Sequence, residues 1–364
     1  MKKTPPQYDY LLFLCTILLF CIGLVFIYSA SSNLSLFRFN DPYFYLKKQI
    51  VFGLVGIFAM MFGMIIPSEF YSDKKIVFGI FFISIALLLS LFFIGHTVNG
   101  ATRWIRIGPV SFQPTELAKF SLCLYLSYSM ASKGVQMRLF KKGVLHHFII
   151  FSIFAALILK QPDHGSVAMI LMWLFIMLFV GGARITHLII MLIFLVPIAL
   201  FCFWHSPYLI CRWKAFRNPW EYADTYGFQI IHSLYAFGTG GLFGVGLGSG
   251  KQKLFYLPEP HTDFILSVIG EEVGFLGVAI IIVLYALIVT KGIKVAIDTK
   301  NLFNKYLAFG ISCMLGIQVL INMAVVTNLI PAKGITLPLL SYGGSSLLFT
   351  MFQIGILLNV SSKR

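Results

Sequence analysis

The sequence predicts an all-α polytopic membrane protein of about ten transmembrane helices, with a large extracytoplasmic loop between spans 7 and 8. Three observations carry that prediction. Of 364 residues, 59% are hydrophobic and only 11% charged, whereas a soluble domain carries roughly 25% charged residues. The mean hydropathy is +0.88. The apolar stretches are long and continuous, without the alternation over ten-residue segments that a transmembrane β-barrel needs. A soluble domain, a disordered tail and a collagen-like repeat are all excluded by this composition.

Taken in order, apolar runs occur near 10–30, 50–66, 76–95, 117–131, 148–159, 166–182, 186–204, 264–290, 304–330 and 339–360. Ten spans of ~20 residues would use nearly all of the apolar residues. An even count puts both termini on one side, and residues 1–364 read as one transmembrane unit. The first run, with the bulky Tyr28 near its end, does not read as a cleavable signal. Lys and Arg set the orientation. With the N-terminus inside, fifteen of them (Lys2, Lys3 and Arg364 among these) face the cytoplasm and seven face outward in short loops. Both termini are therefore expected in the cytoplasm.

The formal charge of +15 is spread in short clusters between apolar runs, as headgroup anchoring requires, so no nucleic acid partner is expected. Five of six cysteines sit inside apolar runs, with neither a disulfide framework nor a metal spacing.

The long segment at about 205–262 is unusual, because loops of that length without a role are uncommon. Within it, 226–237 reads as an amphipathic helix that places Gln229, His232 and Ser233 on one face. That stripe either rests at the membrane interface or lines a cleft. Seven glycines follow within 238–250. The run has neither P-loop nor GxGxxG spacing, which leaves tight turns or amides exposed to an anion.

Ionisable groups in or beside apolar segments are costly and mark functional sites. Asp263 stands where the long loop enters the eighth span, with Thr262 as a candidate N-cap and Asp263 in the first turn. A capping carboxylate held by the helix dipole would explain it alone. Against that, Glu259 and His261 crowd the same turn, and Glu271 and Glu272 follow inside the helix. At 100° per residue Glu271 lies about 80° round from Asp263 and can share its cavity, while Glu272 points about 180° away towards another helix.

Glu116 and Lys119 have the i, i+3 spacing of an ion pair, more simply a structural tie than a catalytic couple. Arg103 and Arg106 flank Trp104 and suit either bidentate phosphate binding or interfacial anchoring. Lys333 and Ser341 lie in a proline-interrupted entry to the last span, and such entries are tolerated only at a cavity or buried in protein. Gln161-Pro-Asp163 enters the sixth span in the same way, and Asn322 is placed to hydrogen-bond across helices. Under the charge-based topology Arg103, Asp163, Asp263 and Lys333 share the outer face. A pocket with a carboxylate and several cations suits a lipid-linked anionic substrate.

Four segments, 257–274 (LPEPHTDFILSVIGEEVG), 331–346 (PAKGITLPLLSYGGSS), 101–119 (ATRWIRIGPVSFQPTELAK) and Gln161-Pro-Asp163, resemble the signatures of the SEDS family of peptidoglycan polymerases. The similarity spans nearly the whole chain. Asn218-Pro-Trp-Glu221 and Lys333-Gly334 resemble its division branch more than its elongation branch. The resemblance implies a ten-helix enzyme that polymerises lipid II outside the cytoplasmic membrane, at the division septum. A class B penicillin-binding transpeptidase and other division proteins are the implied partners. The family's essential aspartate matches Asp263. Candidate substrate-binding residues are Arg103, Lys333, Glu116, Lys119, Glu271, His261 and Ser341.

Glycan extension requires a sugar hydroxyl to attack an anomeric carbon whose leaving group is lipid diphosphate. One carboxylate can take the hydroxyl proton and cations can stabilise the departing diphosphate, giving an inverting displacement. The helix dipole would make a first-turn aspartate a weak base, whereas desolvation or Glu271 would raise its pKa. A divalent cation between Asp263 and the diphosphate fits the same chemistry, although no dedicated ligand cluster is visible. Two other readings use the same residues: a lipid II flippase, which predicts inverted repeats that are not visible, and a division scaffold, which leaves the buried acids without a task.

Overall fold

The computed structural model describes residues 8–98, 101–108 and 110–363; Lys2, Lys3 and Arg364 of the charge tally lie outside them. Helices form at all ten apolar runs. The first four are α1 (Tyr10–Phe39), α2 (Phe44–Ile65), α4 (Lys74–Ile94, after the short α3, Ser68–Ser72) and α5 (Pro114–Lys133). Then come α6 (His146–Leu159), α7 (His164–Val180), α8 (Ile185–Trp204), α11 (Ile265–Asp298), α12 (Leu302–Val326) and α13 (Gly344–Ser361). Among the described residues eight of these stretches are long and apolar enough to cross a membrane, α6 together with the helical turns that precede it from Phe140. The other two are α7, with 17 residues, and α5, which carries Glu116, Lys119 and Lys133. Polar side chains mark the starts: Asp9, Asp73, Asp163 and Asn301 each accept from amides of the first turn of α1, α4, α7 and α12.

Two connections hold more structure than a loop. The long one contains α9 (Pro207–Arg217) and α10 (Phe228–Gly240). The one between α4 and α5 folds into an antiparallel sheet, β1 (Gly95–Val98), β2 (Ala101–Ile107) and β3 (Val110–Phe112), in the order β1-β2-β3. This sheet departs from an all-helical reading, and its alternation sorts the two arginines. Arg103 shares a strand face with the buried Ile105, while Arg106 falls on the other face with Nη1 3.4 Å from His96 Nε2.

The bundle is built around α12 and α13. α13 packs most extensively on α2, and α12 on α11 and α5. α8 lies at the periphery, touching α7 and α9, with Leu188 as its buried residue.

α11 is not continuous. At Gly274 the backbone adopts φ 67°, ψ −167°, and the glycine run fills the break. Val245 and Gly246 donate to the carbonyls of Glu271 and Glu272, while Phe275 and Leu276 donate to Gly241 and Leu242. Groups freed by a helix break need partners at this depth, and the run supplies them. A Cβ at residue 274 would stand 2.4 Å from the Gly244 nitrogen, so only glycine fits. The run is thus a backbone splint whose amides at Val245 and Gly246 meet carbonyls, while the two residues that follow it, Lys251 and Gln252, turn their amides to the Glu271 carboxylate.

Candidate functional site

A cavity of about 570 Å3 opens where the β-sheet, the N-terminus of α7, α9, the segment before α11 and the 327–343 connection converge. Asp263, Asp163, Arg103, Arg212 and Lys333 line it, with Glu116, Lys119 and Gln318 on a further wall. The four residues that the charge pattern placed on one face therefore share one cavity.

Asp263 is not in the first turn of a helix. α11 begins at Ile265 with Phe264 as its cap, and the Thr262 hydroxyl donates to the Glu259 carbonyl at 2.9 Å instead of capping. The Pro258-Glu-Pro260 bend, with Glu259 at φ 46°, closes a turn that uses the Thr262 amide as well. The helix amides consequently do not claim the Asp263 carboxylate. Burial pushes its pKa up to about 6, against the pull of Arg103 and Arg212 and with a smaller push from Glu259 and Asp163. Desolvation outweighs the cations here.

The backbone around Asp263 is held from two sides. Asn322 donates to the carbonyls of Asp263 and Ile335, at 2.9 and 2.7 Å. Ser341 donates to the Thr262 carbonyl at 2.6 Å and accepts from the Leu337 amide at 2.7 Å. Gly334 permits the closest approach: a Cβ there would lie 2.7 Å from Asp263 Oδ2.

Three expected substrate contacts do not face the cavity. Ser341 is engaged in the backbone bonds just described. His261 is 1% exposed, its ring packed on Tyr45 at 4.3 Å and Tyr342 at 5.5 Å, and burial lowers its pKa to about 4. Glu271 accepts from the amides of Lys251 at 2.7 Å and Gln252 at 3.1 Å. The 80° relation between Asp263 and Glu271 assumed one helix through both, and the glycine run occupies that face. Glu272 does point to another helix: it accepts from Ser29 of α1 at 2.7 Å and from Lys253 at 2.6 Å.

The cations reach the cavity from separate elements. Arg103 Nε lies 3.4 Å from the Gln161 carbonyl and Nη2 donates to the Pro162 carbonyl, 3.9 Å from Asp163 Oδ1. Asp163 caps α7, accepting from the Ser166 amide and hydroxyl. Burial lowers the Lys333 pKa, opposed by Asp163. Lys119 pairs with Glu116 at 2.8 Å and donates to Gln318 at 3.2 Å, and Gln318 donates to the Thr336 carbonyl at 3.0 Å. Arg212, on α9, donates to the Ala332 carbonyl and lies 4.6 Å over the Tyr208 ring. Sequence reading missed Arg212 because no motif surrounds it; the length of the loop that carries it was the signal.

Of the polar stripe on α10, Gln229 lines the cavity. His232 instead meets Gln252 at 2.8 Å and Ser233 meets Ser267 at 2.7 Å. Among the described residues no group of three or more His, Cys, Asp or Glu side chains could hold a metal ion.

The helical bundle and its cavity define a polytopic membrane protein with a polar site that presents one desolvated acid to several cations. The model of a family described as "Cell cycle protein", that of FtsW, RodA and SpoVE, matches residues 9–364, and the chain belongs to this family. It is 43% identical over 358 residues to a "Probable peptidoglycan glycosyltransferase FtsW" of Geobacter sp. (strain M18), covering 98% of this chain and 97% of that one. It is 41% identical to "Stage V sporulation protein E" of Bacillus subtilis (strain 168), covering 99% and 98%. A solved chain from work on "structural coordination of polymerization and crosslinking by a peptidoglycan synthase complex" superposes with a TM-score of 0.80 at 28% identity, covering 98% of each. The rod shape determining protein RodA of Thermus thermophilus superposes with 0.73 at 27%, again covering 98% of each.

Proposed function

We propose that this protein is a peptidoglycan glycosyltransferase that polymerises lipid II at the outer face of the cytoplasmic membrane during septal wall synthesis. The observation that carries the reading is Asp263, desolvated to a pKa of about 6, in a cavity also lined by Arg103, Arg212 and Lys333. At neutral pH such a carboxylate is mostly ionised yet basic enough to accept the acceptor hydroxyl's proton. The cations face the position where diphosphate charge develops as the glycosidic bond forms. One displacement inverts the anomeric centre and needs a single base. Were a divalent cation to take part, Asp263 is the residue that would hold it, and the ion would add positive charge for the departing diphosphate.

The names of the FtsW relatives support the activity and the division role. The charge bias supports both termini in the cytoplasm and the cavity outside. A class B penicillin-binding transpeptidase is the proposed partner, consistent with a neighbour solved in a synthase complex, and residues 1–364 act as one unit.

The test supplies labelled lipid II to the chain purified with that transpeptidase and resolves the glycan strands. Asp263→Asn is expected to abolish polymer while leaving expression and partner binding intact. Wild-type polymer from this variant would end the assignment, and lipid II crossing vesicles without polymer would favour a flippase.

A further inference from the structure

Lys253, Glu272 and Ser29 form a buried polar cluster that the chemistry at Asp263 does not use. Lys253 Nζ lies 2.6 Å from Glu272 Oε1 and 2.8 Å from Ser29 Oγ, and Ser29 donates to both carboxylate oxygens at 2.7 and 2.8 Å. The side chains of Lys253 and Glu272 are 4% and 0% exposed. A desolvated pair of this kind tolerates substitution of one partner poorly.

Its place in the chain is informative. Residues 251–272 leave the glycine run, pass through Asp263, and return along the first two turns of α11. Glu271 and Glu272 close this excursion at its base: Glu271 takes the amides of Lys251 and Gln252, and Glu272 takes Lys253. The same excursion is tied to α1 at two heights. Ser29 meets Lys253, and Arg38 meets Glu259 at 3.1 Å. Nine helical residues separate those two ties, about 13 Å along α1. The far side is held by Asn322 and Ser341. Asp263 therefore stands at the apex of a loop whose base is an ion pair and whose side is a helix.

We propose that Lys253, Glu272 and Ser29 are positioning residues that set the place of the Asp263 carboxylate in the cavity. The inference rests on the reading of Asp263 as the base. Loosening the base of the loop shifts the acid relative to Arg103 and Lys333, and displacement by about 1 Å from a reactive geometry can cost on the order of 100-fold in rate. The substrate contacts themselves stay in place, so binding should survive.

The experiment compares wild type, Lys253→Met, Glu272→Gln, the exchanged pair Lys253→Glu/Glu272→Lys, and Ser29→Ala, each as the full chain with its transpeptidase. It measures polymerisation per folded molecule and lipid II affinity by quenching of a labelled substrate. The single variants should lose about 10- to 100-fold in kcat with KM and affinity near wild type, and the exchanged pair should recover part of the loss. Ser29→Ala, which keeps the ion pair, should fold normally and lose several-fold, and it decides the matter if the charge variants do not accumulate. Wild-type kcat per folded molecule in Ser29→Ala and in any single variant that folds would overturn the proposal. So would a loss of affinity in step with kcat. If Asp263→Asn retains activity, the reading of Asp263 as the base fails whatever the Lys253–Glu272–Ser29 variants do; if only Asp263→Asn is inactive, the positioning role alone fails.

Discussion

Asn322 and Asp263 are joined through the backbone: the Asn322 side-chain nitrogen donates to the Asp263 carbonyl at 2.9 Å and also to Ile335 at 2.7 Å. One amide on α12 thus couples the segment bearing the acid to the segment bearing Lys333. Asn322→Leu removes both bonds while keeping the number and branching of side-chain heavy atoms. It should leave folded protein, cut polymerisation about tenfold and lower the thermal midpoint, since each buried carbonyl left without a donor costs about 1–3 kcal/mol. Polymer yield per folded molecule and a melting curve check this.

The raised pKa of Asp263 predicts a pH limb. The base must be ionised, so single-turnover rate should fall as pH drops through about 6 and level off above 7. Arg103 and Arg212 pull that pKa down. Arg103→Ala should therefore move the limb to higher pH. A flat profile between pH 5 and 8 would contradict a carboxylate base.

Gly334→Ala is predicted to inactivate without unfolding. Its Cβ would sit 2.7 Å from Asp263 Oδ2, inside contact distance, and the carboxylate is what must move. Gly165→Ala serves as control on the same cavity, because there the nearest atom is Lys333 Cδ at an ordinary 3.5 Å. Glycan length on a gel separates the two outcomes.

Arg212, Arg103 and Lys333 are expected to act on the donor. Alanine at any of them should raise KM for lipid II about tenfold, the scale of one charge-assisted hydrogen bond, and Arg212→Lys should recover only part. An unchanged KM in Arg212→Ala would leave it as a prop for the Ala332 carbonyl and the Tyr208 ring.

Much of the architecture was legible without coordinates. Ten apolar runs became ten helices, and Asp163, Arg103, Asp263 and Lys333, assigned to one face from loop charge alone, line one cavity. Where sequence reasoning failed, it had extended local periodicity past a break. Glu271 was placed beside Asp263 on a single helix, but the helix starts after Asp263 and the face is covered by residues 250–252. His261 and Ser341 sit within a motif, yet the Ser341 hydroxyl holds the backbone beside Asp263 and the His261 ring is packed against Tyr45 and Tyr342. The β-sheet that separates Arg103 from Arg106 is too short to register against long apolar runs.

Hydropathy is a property of windows of about twenty residues, so the apolar helices and their order follow from the chain read locally. The site is a matter of distant residues. Asn322 reaches back 59 positions to Asp263, and Lys253 reaches 224 to Ser29; Arg212 enters beside them from a separate helix. Such neighbours are chosen by helix packing and by the need to satisfy every buried polar group. Only the tertiary structure could decide which charges line the cavity and which hold the frame.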